Sequence, residues 1–136
     1  MCCDENVQND YLTEIIERIL ILQQRGNNCD DDNTCTRPFL GPSSNILCLN
    51  TRPVSFYSCC NNNLWSMPYT LGETTSTSSV FRIEGLDEDC VTCRVLAPNT
   101  DTTSNFPYLA TSDFFTIKLK CIGILRCLGD TTVTGV

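Results

Sequence analysis

Eleven cysteines, at Cys2, Cys3, Cys29, Cys35, Cys48, Cys59, Cys60, Cys90, Cys93, Cys121 and Cys127, supply most of the reactive chemistry in a 136-residue chain without histidine. Thiols at such density form disulfides, exchange them, or bind metal. Cys90-Val91-Thr92-Cys93 is a CxxC. Redox use of that spacing needs a helix N-terminus, where the dipole lowers a thiol pKa. Residues 90–97 alternate like a strand instead, which sends the two thiols to opposite faces and makes Cys93 a small core residue. Structural zinc needs four ligands, and the chain has no second CxxC to provide them. Cys121 and Cys127 are the distant pair left to complete such a site.

Adjacent cysteines seldom bond to each other, because the geometry strains the intervening peptide. Cys2-Cys3 precedes any periodic apolar pattern, so these thiols are expected to reach another chain. For Cys59-Cys60 two readings stand side by side. Either each sulfur finds a different partner, or strand alternation turns Cys59 inward and Cys60 outward.

Other chemistry is thin. Asp30-Asp31-Asp32, between Cys29 and Cys35, lacks the alternating ligands, turn glycine and distal glutamate of a calcium loop and reads as a solvated charge run. Without histidine the chain lacks the commonest general base and the usual partner of a nucleophilic serine or cysteine. The carboxylates show no paired spacing of a catalytic dyad. The expectation is a protein that is not an enzyme, with no catalytic residue, no bound metal and no cofactor.

Cysteine-dense chains are usually secreted, yet Met1-Cys2-Cys3-Asp4-Glu5-Asn6 lacks the basic start and apolar centre of a signal peptide. Synthesis in a reducing cytosol and later oxidation is therefore expected. Because eleven is odd, full oxidation leaves at least one thiol for a neighbouring chain. The net charge of −7 disfavours nucleic acid and anionic membrane surfaces alike. No apolar run approaches the roughly 20 residues of a membrane helix, so no membrane insertion is expected.

Residues 1–8 read as a flexible cysteine-bearing arm, and 9–136 as a single domain. Leu12, Ile15, Ile16, Ile19, Leu20 and Leu22 recur with helical spacing, predicting one amphipathic helix over about 9–25. Asp10 is its candidate N-cap, Gly26-Asn27 its stop, and Ile21 falls on the other face. Beyond it the apolar period becomes two. Phe81 and Ile83 oppose Arg82 and Glu84; Val91, Cys93 and Val95 oppose Thr92 and Arg94; Phe115, Ile117 and Leu119 oppose Thr116, Lys118 and Lys120. Cys121 continues the last phase and is expected to be buried if the strand runs that far. Weaker strands fit Ile46–Leu49, Val54–Cys59 and Leu64–Tyr69, with turn-rich stretches at Gly72–Ser79 and Pro98–Asn105. The predicted fold is mainly β, an antiparallel β-sandwich or barrel-like domain with one N-terminal α-helix.

Several segments, in order, carry a resemblance. They are Ile19-Leu20-Ile21-Leu22-Gln23 leading to Cys29, Pro38-Phe39-Leu40-Gly41, Asn50-Thr51-Arg52-Pro53, Val80-Phe81-Arg82-Ile83-Glu84, Asp87-Glu88-Asp89-Cys90 with Arg94-Val95-Leu96, and Ile117-Lys118-Leu119-Lys120-Cys121 through Cys127-Leu128. The chain resembles the cysteine-rich outer-coat and exosporium proteins of Bacillus-type endospores, the CotY, CotZ and ExsY family. It departs from that pattern where Gly123 replaces a frequent third cysteine and where Cys93 replaces an aliphatic residue.

The resemblance implies a structural protein that self-assembles into an ordered lattice and is hardened by intermolecular disulfides. Its partners would be further copies of itself and other spore coat proteins. It would be made in the mother-cell cytoplasm and located in the coat, crust or exosporium. On this reading Cys2, Cys3, Cys29, Cys35, Cys60 and Cys127 are the intermolecular candidates, and Cys48, Cys59, Cys90, Cys93 and Cys121 the core or intrachain candidates. Two alternatives remain at this level: a zinc- or redox-dependent thiol protein using Cys90, Cys93, Cys121 and Cys127, or a filament subunit hooked by its Cys2-Cys3 arm.

Overall fold

A computed structural model describes residues 10–27 and 49–136. The arm of residues 1–8, the Cys29–Cys35 loop, Cys48 and most of the Ile46–Leu49 segment lie outside the described residues. One helix, α1 (Asp10–Asn27), precedes seven strands: β1 (Val54–Ser58), β2 (Met67–Leu71), β3 (Thr74–Ser78), β4 (Phe81–Asp87), β5 (Cys90–Pro98), β6 (Tyr108–Lys118) and β7 (Ile122–Cys127). Five of them form an antiparallel sheet in the order β6-β5-β4-β1-β7, and β2-β3 is a separate hairpin. The predicted mainly β architecture with one helix is therefore what forms. The sheets are not closed into a barrel.

Register explains why one face of the large sheet is dry. Val54 pairs with Phe81 and Phe81 with Val95; Ile83 pairs with Cys93 and Cys93 with Phe115; Val91 pairs with Ile117. Facing residues in a ladder project to the same side, so these apolar side chains merge into one surface. Phe81 stands at its centre, with ring centroids 5.7 Å from Phe56 and 4.8 Å from Phe115. Ile16 and Ile19 of α1 and Tyr69 of β2 complete the same cluster.

The helix is narrower in its burial than its pattern implied. Ile16, Ile19 and Gln23 are buried, whereas Leu22, grouped above with the apolar face, is 44% exposed and Ile21 49%. Spacings of three and four from Ile16 lead to Gln23 rather than Leu22, so a polar residue takes the inward position. Both ends of its amide are bonded: Nε2 donates to the Ile83 carbonyl at 2.8 Å, and Oε1 accepts from the Arg52 backbone N–H at 3.1 Å. One side chain thus ties α1 to β4 and to the chain entering β1. Gly26 lies in the last turn of the helix where an added Cβ would collide with the Leu49 carbonyl oxygen, an approach only glycine permits.

Three strand assignments differ from the pattern reading. Gly72–Ser79, read as turn-rich, is mostly strand: Thr74–Ser78 pairs in full with Met67–Leu71. Its serines and threonines are exposed except Ser78, so no apolar alternation betrays it, although threonine suits a pleated surface. The best predicted strand ends at Lys118, and Leu119–Cys121 forms a 3-10 turn that leaves Cys121 half-buried. β7, which the alternation did not identify, then returns beside β1.

Arg82 and Glu84 do oppose Phe81 and Ile83, but Arg82 is not solvated. It is 4% exposed, donating to Thr51 Oγ1 and the Asn50 carbonyl at 3.0 Å each, and its Nη1 lies 2.8 Å from Glu84. Glu84 also holds Arg94 at 3.0 Å, and Arg94 lies 4.5 Å over the Phe114 ring. Asn50 receives the C-terminal segment in turn, donating to the Val133 carbonyl and accepting from its N–H, both at 2.9 Å. Every buried side-chain nitrogen and oxygen among the described residues has a partner, as a buried polar network requires.

Candidate functional site

Six cysteines fall among the described residues, and the fold places each in a different chemical setting. Cys93 lies in the middle of β5, fully buried between Ile83 and Phe115. Burial pushes its thiol far above the ordinary range, and the nearby Glu84 carboxylate pushes it further. It stays protonated at neutral pH and packs as a small apolar group. Cys90, at the other end of the CxxC, starts β5 opposite Lys118 and is half-buried. The strand geometry separates the two thiols, as the spacing implied.

Cys127 ends β7 opposite Val54 and is free and exposed. Its thiol is raised, first by partial burial; Arg52 opposes that shift and Asp130 adds to it. Those two residues form a bidentate pair beside it, with Arg52 Nε 2.7 Å and Nη2 2.9 Å from the Asp130 oxygens. The guanidinium holds the Asp130 carboxyl below its ordinary range. Leu22, Gln23, Leu49 and Thr51 join this pair around an open cleft.

Cys59 and Cys60 follow β1 in a turn, and both are disulfide-bonded. Since Cys90, Cys93, Cys121 and Cys127 are free, the bonds of Cys59 and Cys60 join them to each other or to cysteines outside the described residues. Cys59 is half-buried and Cys60 exposed. Cys60, an intermolecular candidate on sequence grounds, is exposed and disulfide-bonded. The Cys59 backbone N–H donates to the Cys121 carbonyl at 3.1 Å, and Cys59 Sγ sits 3.1 Å from the Lys120 carbonyl oxygen. A disulfide sulfur has no proton to donate, so this second approach is a sulfur–carbonyl contact. Gly123 makes the proximity possible, because a Cβ there would stand 2.8 Å from the Cys59 Cα.

Cys90, Cys93, Cys121 and Cys127 do not converge. Among the described residues no three cysteine or carboxylate side chains gather as a metal would require. Cys2, Cys3, Cys29, Cys35 and Cys48 lie outside the described residues. The Cys59–Cys121 neighbourhood was invisible to sequence reasoning, since it depends on β7, which carries Ile122, Ile124 and Leu125 without clean alternation. No helix among the described residues is long and apolar enough to cross a membrane.

No family model matches the chain, nor does any curated protein or solved structure.

Proposed function

We propose that this chain is a structural building block of a spore outer layer, coat, crust or exosporium, which assembles with copies of itself and other coat proteins and is then cross-linked through cysteine. The observation that carries the reading is Cys127, a free and exposed thiol at the end of an edge strand of the five-stranded sheet. An exposed edge offers unpaired backbone groups to a second chain, and a thiol there can make such a contact covalent. The ordered run of resembling segments and the odd cysteine count point the same way. A lattice requires contacts that propagate rather than close on a single two-fold axis, and disulfides would turn a reversible array into one resistant to dissociation.

The test is electrophoresis and electron microscopy of one oxidised sample with and without reductant, beside Cys127→Ser. The parent should give a ladder of linked species and ordered assemblies, the ladder collapsing with reductant and weakening in the variant. A monomer band alone after oxidation, with no ordered material on the grid, would overturn the reading.

A further inference from the structure

We infer that the outer stripe of α1 docks against the same stripe of a second copy, the two helices lying antiparallel. Residues four apart on a helix stand one turn apart on the same face. Glu17, Ile21 and Arg25 are such a row, and all three are exposed, Ile21 by 49%. An apolar side chain thus has an acid one turn before it and a base one turn after it. Among the described residues neither Glu17 nor Arg25 has an ion-pair partner, whereas Glu14 and Arg18 on the neighbouring row hold each other at 2.9 Å. Leu22 and Leu49 meet at one cleft beside the row and are 44% and 37% exposed, which widens the apolar surface.

The order of the charges identifies the occupant. A two-fold axis at Ile21 brings this residue against Ile21 of the second copy. The same axis sets Glu17 against Arg25 of the second copy, and Arg25 against its Glu17. Two opposite-charge contacts and one apolar contact form together. A parallel pairing in register would oppose Glu17 to Glu17 and Arg25 to Arg25, so the row selects the antiparallel arrangement, which the helix dipoles also favour. A net charge of −7 makes copies of the chain repel at long range, yet this row is neutral. A single helix contact buries less than the roughly 1,200 Å² of a stable interface, so the pair is weak and concentration-dependent. Such a two-fold contact closes on itself, and an array would need a further contact such as the one proposed at Cys127. The α1 contact uses no cysteine and holds whether or not chains cross-link.

The experiment uses the full-length chain with its free thiols alkylated under native conditions, so that no new disulfide joins two chains. Sedimentation velocity is run up to about 1 mM, the range of weak association, with circular dichroism to check the helix in each variant. We expect a monomer–dimer equilibrium in the parent that weakens as salt is added. Glu17→Arg and Arg25→Glu should each weaken it about tenfold, because both opposite-charge contacts become repulsive. Glu17→Arg lowers the net negative charge, so its weaker pairing cannot come from general repulsion. Mixing the two variants should restore a dimer, now a mixed one, since every facing pair is again an acid against a base. A parent that stays monomeric, a dimer that neither substitution disturbs, or a mixture that fails to pair would each overturn the inference. Because no thiol takes part, the outcome is independent of whether oxidised chains form a ladder.

Discussion

Cys93 and Cys59 lie on neighbouring parts of the same sheet architecture, yet one is sealed and the other is chemically engaged. Cys93 occupies a central strand with paired strands on both sides and apolar neighbours at Ile83 and Phe115. Cys59 sits just beyond the end of β1, where the register with β7 shifts between Tyr57 and Ser58 and the ladder gives way to a turn. Pairing on both sides removes water, and with it the thiolate that any sulfur chemistry needs. The strand end leaves backbone and sulfur within reach of a second chain segment. Position in the ladder, not the cysteine itself, decides which sulfur reacts.

The sharpest way to break the sealed region is to empty its centre. Phe81→Ala removes the ring that touches both Phe56 and Phe115, and should cost about 3–5 kcal/mol of stability. Chemical denaturation reads this directly. Cys127→Ser, at the exposed end of β7, should stay within about 0.5 kcal/mol of the parent. Equal losses in the two variants would mean that the strand end is packed as tightly as the core.

Arg82 tests the opposite face of the same strand. Arg82→Ala leaves Glu84 with Arg94 alone and strips the Asn50 carbonyl and Thr51 hydroxyl of a donor. We expect a loss of about 3 kcal/mol, the lower end for a broken buried pair because Arg94 remains. Arg82→Met, which keeps volume, should recover part of it. A variant as stable as the parent would show that the face opposite Phe81 is wetter than its burial indicates.

Cys93→Ser addresses the comparison itself. It exchanges a small apolar group for a hydroxyl in a dry setting, and should cost about 2 kcal/mol. In the folded parent, maleimide at neutral pH should label Cys127 first, Cys90 and Cys121 more slowly, and Cys93 only on unfolding. Early labelling of Cys93 would place it outside the core and undo the assigned register.

Period-two alternation in β4, β5 and β6 made the core face legible, because its centre, from Phe81 to Ile83, Val91 to Val95 and Phe115 to Ile117, turns apolar residues inward. It failed where polarity and geometry part company. β3 is a strand of serine and threonine recruited by pairing with β2, so it carries no apolar signal. Leu22 looks like a core residue by type but falls outside the buried stripe, while Gln23 falls inside it and satisfies two backbone groups. Cys121 kept its phase in the sequence, but the chain leaves the extended conformation after Lys118, and phase has no meaning in the turn that follows. The closeness of Cys59 to Cys121 needs β7 to return beside β1, a long-range fact that local spacing does not encode.

The smallest expected effect lies in the charge pair beside Cys127. Arg52 donates two hydrogen bonds to Asp130 and holds its carboxyl below the ordinary value of 3.8. A carboxylate whose folded pKa is depressed contributes stability that is complete above its unfolded pKa and vanishes as pH falls through the folded one. Both side chains are more than a third exposed to solvent, so the contribution at pH 7 should be about 0.5 kcal/mol. Asp130→Asn should therefore be slightly less stable than the parent at pH 7, and the difference should close as the pH is lowered through the acid range. Parallel stability curves across that range would show that the pair carries no net energy. The same substitution removes a carboxylate that raises the Cys127 thiol and leaves Arg52, which lowers it. Maleimide should therefore label Cys127 faster in Asp130→Asn at pH 8, even though the fold barely registers the change.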